Sequence, residues 1–216
     1  MRPFWNERFN YMSRGRPPTH SREELLEIGN TLFQLHGYHG TSLSMILDAC
    51  GVSRGSFYNY FGGKEHFAIE VIEHYHPLEI DRWNSEFAQL EGSHAAKLER
   101  MMHKLIEEFS MSHERIGCLL ANLSGEMALA SQAFRDAIRN AIQRVIHAIT
   151  EDMRLCQEEG SVRTDLKPEQ LAWLLWDYWQ GALLRMKTEN NREPLYQAVD
   201  MLWHRLLPPQ PDSPTP

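Results

Sequence analysis

The chain has 216 residues, of which 42% are hydrophobic and 24% charged, with a net charge of -7. That balance belongs to a folded globular protein with room for one or two small domains and a real core. No apolar run approaches the ~20 residues of a membrane span, and the first residues lack the apolar centre of a signal peptide, so a cytoplasmic protein with no membrane partner is expected.

Positive charge is gathered at the N-terminus. Arg2, Arg8, Arg14, Arg16 and Arg22 face Glu7 alone within residues 1–22, whereas residues 67–216 hold 15 basic and 23 acidic side chains. Arg14-Gly15-Arg16-Pro17-Pro18 reads either as a basic arm suited to a DNA minor groove or as a solvated leader. The first helix starts at Ser21, with Glu24 completing a capping box. It should bury Leu25, Ile28, Leu32 and Leu35 and end at Gly37.

Residues 42–67 read as a helix-turn-helix. Leu43, Ile46, Leu47 and Cys50 repeat at i, i+3, i+4, i+7 and form one buried face, with Thr41 or Ser42 capping the start. Gly51 can take the left-handed conformation that ends a helix, Val52 plugs the angle, and Ser53 caps a second helix from about Arg54 to Tyr60. Phe57 and Phe61 point inward. Arg54 can donate two hydrogen bonds to guanine, Ser56 can bond either way, and Gly55 lets the backbone come close. Tyr58, Asn59, Tyr60 and Lys64 suit phosphate oxygens, which position a protein without reading sequence.

The run from Thr41 to Phe67 resembles the TetR family of bacterial transcriptional repressors, through Ala49-Cys50-Gly51-Val52-Ser53, Gly55, Tyr58, Phe61, Lys64 and Glu65. Tyr60 departs from that pattern, where many members carry histidine. The resemblance implies three N-terminal helices that bind DNA, followed by a larger helical domain that dimerises and takes a small effector. The residues expected at a double-stranded operator are then Thr41, Ser42, Ser53, Arg54, Gly55, Ser56, Tyr58, Asn59, Tyr60 and Lys64.

A fourth helix begins near Lys64, and Pro77 should kink or break it. Further helices are expected over 94–112, 116–130, 132–159, 168–188 and 193–207, giving an all-α fold of about nine helices with no persuasive strand. The expected organisation is a basic arm (1–19), a helix-turn-helix domain (20–66), a helical ligand-binding and dimerisation domain (67–207) and a disordered proline-rich tail (208–216).

Two segments of the larger domain are candidates for an effector site. Cys118, Asn122 and Glu126 fall at i, i+4 and i+8, a polar stripe that either lines a cavity or closes a core network. In the helix that holds Trp173, Trp176 and Trp179, the indoles suit a core, a subunit interface or a cavity wall. Arg185 serves either a carboxylate ligand or an ion pair with Glu189 or Asp177. The segments 117–127 and 179–187 resemble the effector domains of two TetR-type subgroups, one of acrylate-responsive repressors and one of repressors that sense electrophiles such as N-ethylmaleimide through a cysteine. On that resemblance the effector residues are Cys118, Asn122, Glu126, Trp176, Trp179 and Arg185, and Cys118 is either a covalent sensor or an inert buried thiol.

Cys50, Cys118 and Cys156 form no disulfide framework or metal spacing, and the eleven histidines stand without a carboxylate or cysteine set. No metal site and no cofactor is expected. No convergent acid, base and nucleophile set marks an enzyme. The sequence therefore points to a homodimeric repressor released from a palindromic operator by a small effector, with a helical enzyme and an architectural DNA binder as the rival classes.

Overall fold

The computed structural model describes residues 21–111 and 117–210, and among them the chain forms nine α-helices and no strand. The basic arm at Arg14 to Pro18 and residues 211–216 of the tail lie outside the described residues. The helices are α1 (Arg22–Gly40), α2 (Leu43–Cys50), α3 (Arg54–Phe61), α4 (Lys64–Ala88), α5 (His94–Met111), α6 (Leu119–Met127), α7 (Gln132–Glu158), α8 (Pro168–Glu189) and α9 (Glu193–Met201), and a π-helical turn over Leu202–Leu206 closes the series.

The capping box of α1 is present: the Glu24 amide donates to Ser21 Oγ at 3.1 Å and the Ser21 amide to the Glu24 carboxylate at 2.8 Å. The buried stripe is rotated from the expected one. Leu25, Leu26, Gly29 and Phe33 face inward, Ile28 and Leu32 are half-buried, and Leu35 is 38% exposed. The crossing with α4 sets this rotation, because a Cβ on Gly29 would lie 2.4 Å from Phe67 and 2.8 Å from Val71. The two helices meet there at backbone distance, and Phe33 lies tilted against Phe67 with ring centroids 6.0 Å apart. Regular helix stops at Gly37, whose φ is +68°, and one more turn runs on to Gly40.

Pro77 does not break α4, which continues to Ala88. The amide hydrogen that proline lacks would have gone to the Glu73 carbonyl, and both residues are exposed, so the missing bond falls on the outer side of the helix, where its loss costs least.

Two apolar cores result. The first joins the three N-terminal helices to α4, α6 and the start of α7, around Phe33, Ile46, Phe57, Phe67, Leu123 and Phe134. The second holds α5, α8, α9 and the far half of α7 together, around Ile106, Met153, Leu171, Leu195 and Leu202. The first core thus runs past residue 66 into α6 and α7. Cys118 packs against both cores.

Candidate DNA interface and effector region

The turn between α2 and α3 forms from the residues that foreshadow it. Ser42 Oγ accepts the Met45 amide at 3.1 Å, and Gly51 takes φ +62° while its amide returns to the Leu47 and Asp48 carbonyls. Ser53 Oγ then accepts the Ser56 amide at 3.1 Å and shares a hydroxyl contact with Ser56 at 2.9 Å. Each such serine cap stabilises its helix by about 1 kcal/mol.

Helix α3 buries Phe57 and Phe61 and turns Arg54, Gly55, Tyr58 and Asn59 to the outside. Gly55 has no steric reason within the chain, since a Cβ there would meet nothing nearer than Ser53 Oγ at 3.9 Å. A helical glycine that nothing crowds costs about 0.5–1 kcal/mol relative to alanine, so its use lies in what approaches from outside. Arg22 braces the far end of α3. Its guanidinium donates to the Tyr60 carbonyl at 3.1 Å, pairs with Glu70 and lies 4.9 Å from the centroid of the Phe61 ring.

Two expected DNA residues have other duties. Thr41 is fully buried and its hydroxyl points at the Gly37 carbonyl, 2.7 Å away, and the Leu32 carbonyl, 3.2 Å away, so it closes the end of α1 instead of facing a duplex. Lys64 donates to the Tyr38 and Thr41 carbonyls at 2.9 and 3.0 Å and sits 4.0 Å over the Tyr38 ring. Burial lowers its pKa while the Glu126 charge opposes that shift. At most one of its three ammonium protons is left for a phosphate.

Glu126 meets the same junction from the other domain. Its carboxylate accepts the amides of Tyr38 at 3.0 Å and His39 at 2.7 Å, across 88 and 87 positions of sequence. Beside it, Ser131 bonds to Glu65 of α4 at 2.5 Å. The C-terminal end of α6 is therefore fastened to the end of α1 and the start of α4, on either side of the helix-turn-helix.

The N-terminal end of α6 has a different chemistry. Cys118 is its N-cap residue and makes no cap hydrogen bond of ordinary geometry. Burial pushes its thiol pKa up, and the nearby Ala121 and Leu120 amides, the Gln180 side chain and the Lys187 ammonium all pull the other way. Lys187 donates to Asn122 Oδ1, so Asn122 is tied to this cluster. Gly117, at φ +94°, admits the lysine, because a Cβ there would lie 2.6 Å from Lys187 Cε. Gln180 Oε1 is buried and has no hydrogen-bond partner among the described residues.

A cavity of about 470 Å³ opens between α4, α5, α7 and α8. Trp176 and Trp179 line it, but Cys118, Asn122, Glu126 and Arg185 do not. Arg185 is exposed and pairs with Glu189 at 3.0 Å, the plainer of the two uses its sequence context offers. The six expected effector residues are thus divided among four places: a thiol cluster (Cys118, Asn122), a domain junction (Glu126), a cavity wall (Trp176, Trp179) and a surface ion pair (Arg185). Sequence reasoning missed Lys187 and Gln180 at the thiol. Their spacing from Cys118 carries no signal, since the three meet only when the Lys187 and Gln180 side chains of α8 reach the start of α6 in the fold.

Comparison with known proteins agrees with this architecture. Residues 25–71 match the family described as "Bacterial regulatory proteins, tetR family", and residues 95–202 match "Tetracyclin repressor-like, C-terminal domain". The chain is 34% identical to the HTH-type transcriptional repressor DhaR of Mycobacterium sp. (strain GP1), covering 87% of this chain and 92% of that one. It is 32% identical to the transcriptional regulator AcuR of Cereibacter sphaeroides, over 85% and 86% of the two chains. Among solved structures, the reduced form of Escherichia coli NemR superposes with a TM-score of 0.78 at 28% identity, covering 89% of this chain and 98% of that one. A helix-turn-helix with an open reading face, set on a helical domain, in a sequence alike along most of its length to repressors of one family, leaves a single assignment: the chain belongs to the TetR family of bacterial transcriptional regulators.

Proposed function

We propose that the chain is a cytoplasmic homodimeric repressor that binds a palindromic operator through α3 and is released when an electrophile with an activated double bond, acrylate or a relative of it, adds to Cys118. The observation that carries this reading is the span of α6. One nine-residue helix has the thiol and Lys187 at its start and, at its end, the carboxylate that holds the Tyr38 and His39 amides.

In the addition, the thiol proton leaves, sulfur bonds to the β-carbon of the alkene, and the α-carbon takes a proton from the Lys187 ammonium or water. The product is bulkier than the thiol and stands where the Gln180 and Lys187 side chains of α8 meet the start of α6, so it pushes on that end of the helix. A displacement there is passed along a rigid helix to Glu126, and the paired recognition helices lose the spacing that fits successive major grooves. No turnover is involved, and an architectural DNA binder would have no use for a reactive thiol or a cavity. Dimerisation through α8 and α9 is supported by Tyr178, Gly181, Leu184 and Met201, which leave an exposed, partly apolar face on those helices.

The test is a fluorescence anisotropy titration with the DNA flanking the protein's own gene, run with and without N-ethylmaleimide. Alkylation should lower operator affinity in the wild type and not in Cys118→Ser. Equal release of both proteins would rule out Cys118 as the sensor, and no sequence-selective binding by either would remove the repressor itself.

A further inference from the structure

The thiol cluster holds an acceptor that the residues around it leave unused. Gln180 and Lys187 lie two turns apart on one face of α8, and both side chains act on the Cys118 thiol. Their contributions differ. Lys187 brings a positive charge and also donates to Asn122 Oδ1. Gln180 gives a hydrogen bond that favours the thiolate, so its Nε2 is turned to sulfur. Its Oε1 is left over, buried and without a hydrogen-bond partner among the described residues.

A buried amide oxygen with no donor is costly, and a methionine would fill a similar volume without that cost. The thiol gives little relief, because S–H is a weak donor and is lost once sulfur bonds to carbon. A donor for Oε1 in the alkylated protein must therefore arrive with the electrophile. In the addition, sulfur bonds to the β-carbon, the double-bond pair moves towards the carbonyl oxygen, and the α-carbon then takes up a proton. Negative charge builds on that oxygen, which the Lys187 ammonium attracts. The substituent beside the carbonyl is then free to answer Gln180.

We infer that Gln180 is a specificity-determining residue of the thiol site, and that the site favours α,β-unsaturated amides and imides with an N–H beside the carbonyl over esters and ketones of the same shape. The N–H donates to Gln180 Oε1 and satisfies it, whereas an ester oxygen or a methyl leaves it buried and unpaired. This rests on Cys118 being the reacting thiol, and it narrows the class of electrophile that the thiol takes.

The test reads alkylation rates of the full-length protein at pH 7 by mass spectrometry of the Cys118 peptide. Each rate is divided by that of the same reagent with glutathione, so that intrinsic reactivity cancels. Maleimide is set against N-methylmaleimide, and acrylamide against methyl vinyl ketone, in which a methyl replaces the amino group and so controls for size. The reagent with the N–H should be favoured about tenfold in both pairs. Gln180→Met keeps the side-chain volume but has no amide oxygen, and both ratios should fall to about one. Ratios near one in the wild type, or a preference that survives in Gln180→Met, would overturn the inference, and the wild-type ratios stand even if that variant folds poorly. Ratios near one with release from the operator by alkylation intact would strike only the role of Gln180. A Cys118 that none of the reagents alkylates would strike the sensor reading with it.

Discussion

The Glu126 carboxylate fills the space that a side chain on Gly37 would need: a Cβ built there would stand 2.1 Å from Glu126 Oε1, and the glycine already takes φ +68°. From that place the carboxylate reaches the two amides that the break in α1 sets free, those of Tyr38 and His39. Gly37→Ala should therefore combine backbone strain with a clash and destabilise by several kcal/mol, about 1–2 of it from the left-handed φ alone. Glu126→Ala removes the clash but not the strain. A double-mutant cycle followed by thermal unfolding should show the pair losing clearly less stability than the two single variants added together.

Glu126→Ala alone leaves the Tyr38 and His39 amides without their acceptor. It should cost about 1–3 kcal/mol, less at the exposed His39 than at the half-buried Tyr38. Operator affinity should also become less responsive to alkylation, because the end of α6 no longer grips α1. Chemical denaturation and anisotropy with and without N-ethylmaleimide would measure the two effects.

Gly55→Ala should separate folding from binding. The space around Gly55 is open and α3 gains helix propensity, so stability should hold or rise by about 0.5–1 kcal/mol. Operator affinity should fall, because the added methyl stands where DNA approaches. Affinity unchanged in a stabilised variant would mean that α3 does not come close to a duplex at this point.

Arg54→Ala and Lys64→Ala should differ in kind. Arg54 is exposed at the head of α3, and its loss should cost about 1–3 kcal/mol at the preferred operator and flatten base preference. Lys64 holds two carbonyls at the end of α1. Its loss should lower the melting temperature as well as weakening binding to all sequences, which a phosphate contact alone would not do.

The three thiols should be separable by pH. Burial pushes Cys50 up to about 11 and Cys156 up to about 12, and both residues are buried, whereas Cys118 is only partly so. The Cys118 pKa is also raised above the ordinary thiol value, by burial. Its reactive thiolate is then a minor species at neutral pH, and the alkylation rate should climb about tenfold from pH 7 to pH 8. Lys187→Met removes a charge that favours the thiolate and should slow alkylation at pH 7. Mass spectrometry of the alkylated peptides would follow both.

The elements that local chemistry dictates were legible in the sequence. Serine caps at positions 21, 42 and 53, the left-handed Gly51 and the apolar spacing in α2 each act within a turn or two, and the structure places them as the sequence suggests. What depended on packing was not legible. The buried face of α1 is set by the close approach of Gly29 to Phe67, and the role of Thr41 by a turn that exists only after Gly37 bends the chain. Pro77 was expected to kink or break α4, and the helix does not break there, since it runs through the proline to Ala88. The polar stripe Cys118, Asn122 and Glu126 follows a single helix, yet that helix packs in the first core while only Cys118 at its start also touches the second, so its ends serve different partners.

Hydrogen exchange at the Tyr38 and His39 amides, before and after alkylation of Cys118 in the operator-free protein, is the most direct test of transmission along α6. The expected result is exchange at those two amides faster by about tenfold, a loss of about 1.4 kcal/mol of protection, while the interior of α3 keeps its protection and operator affinity falls. Unchanged exchange at both amides in a protein that alkylation has nonetheless released from DNA would contradict it.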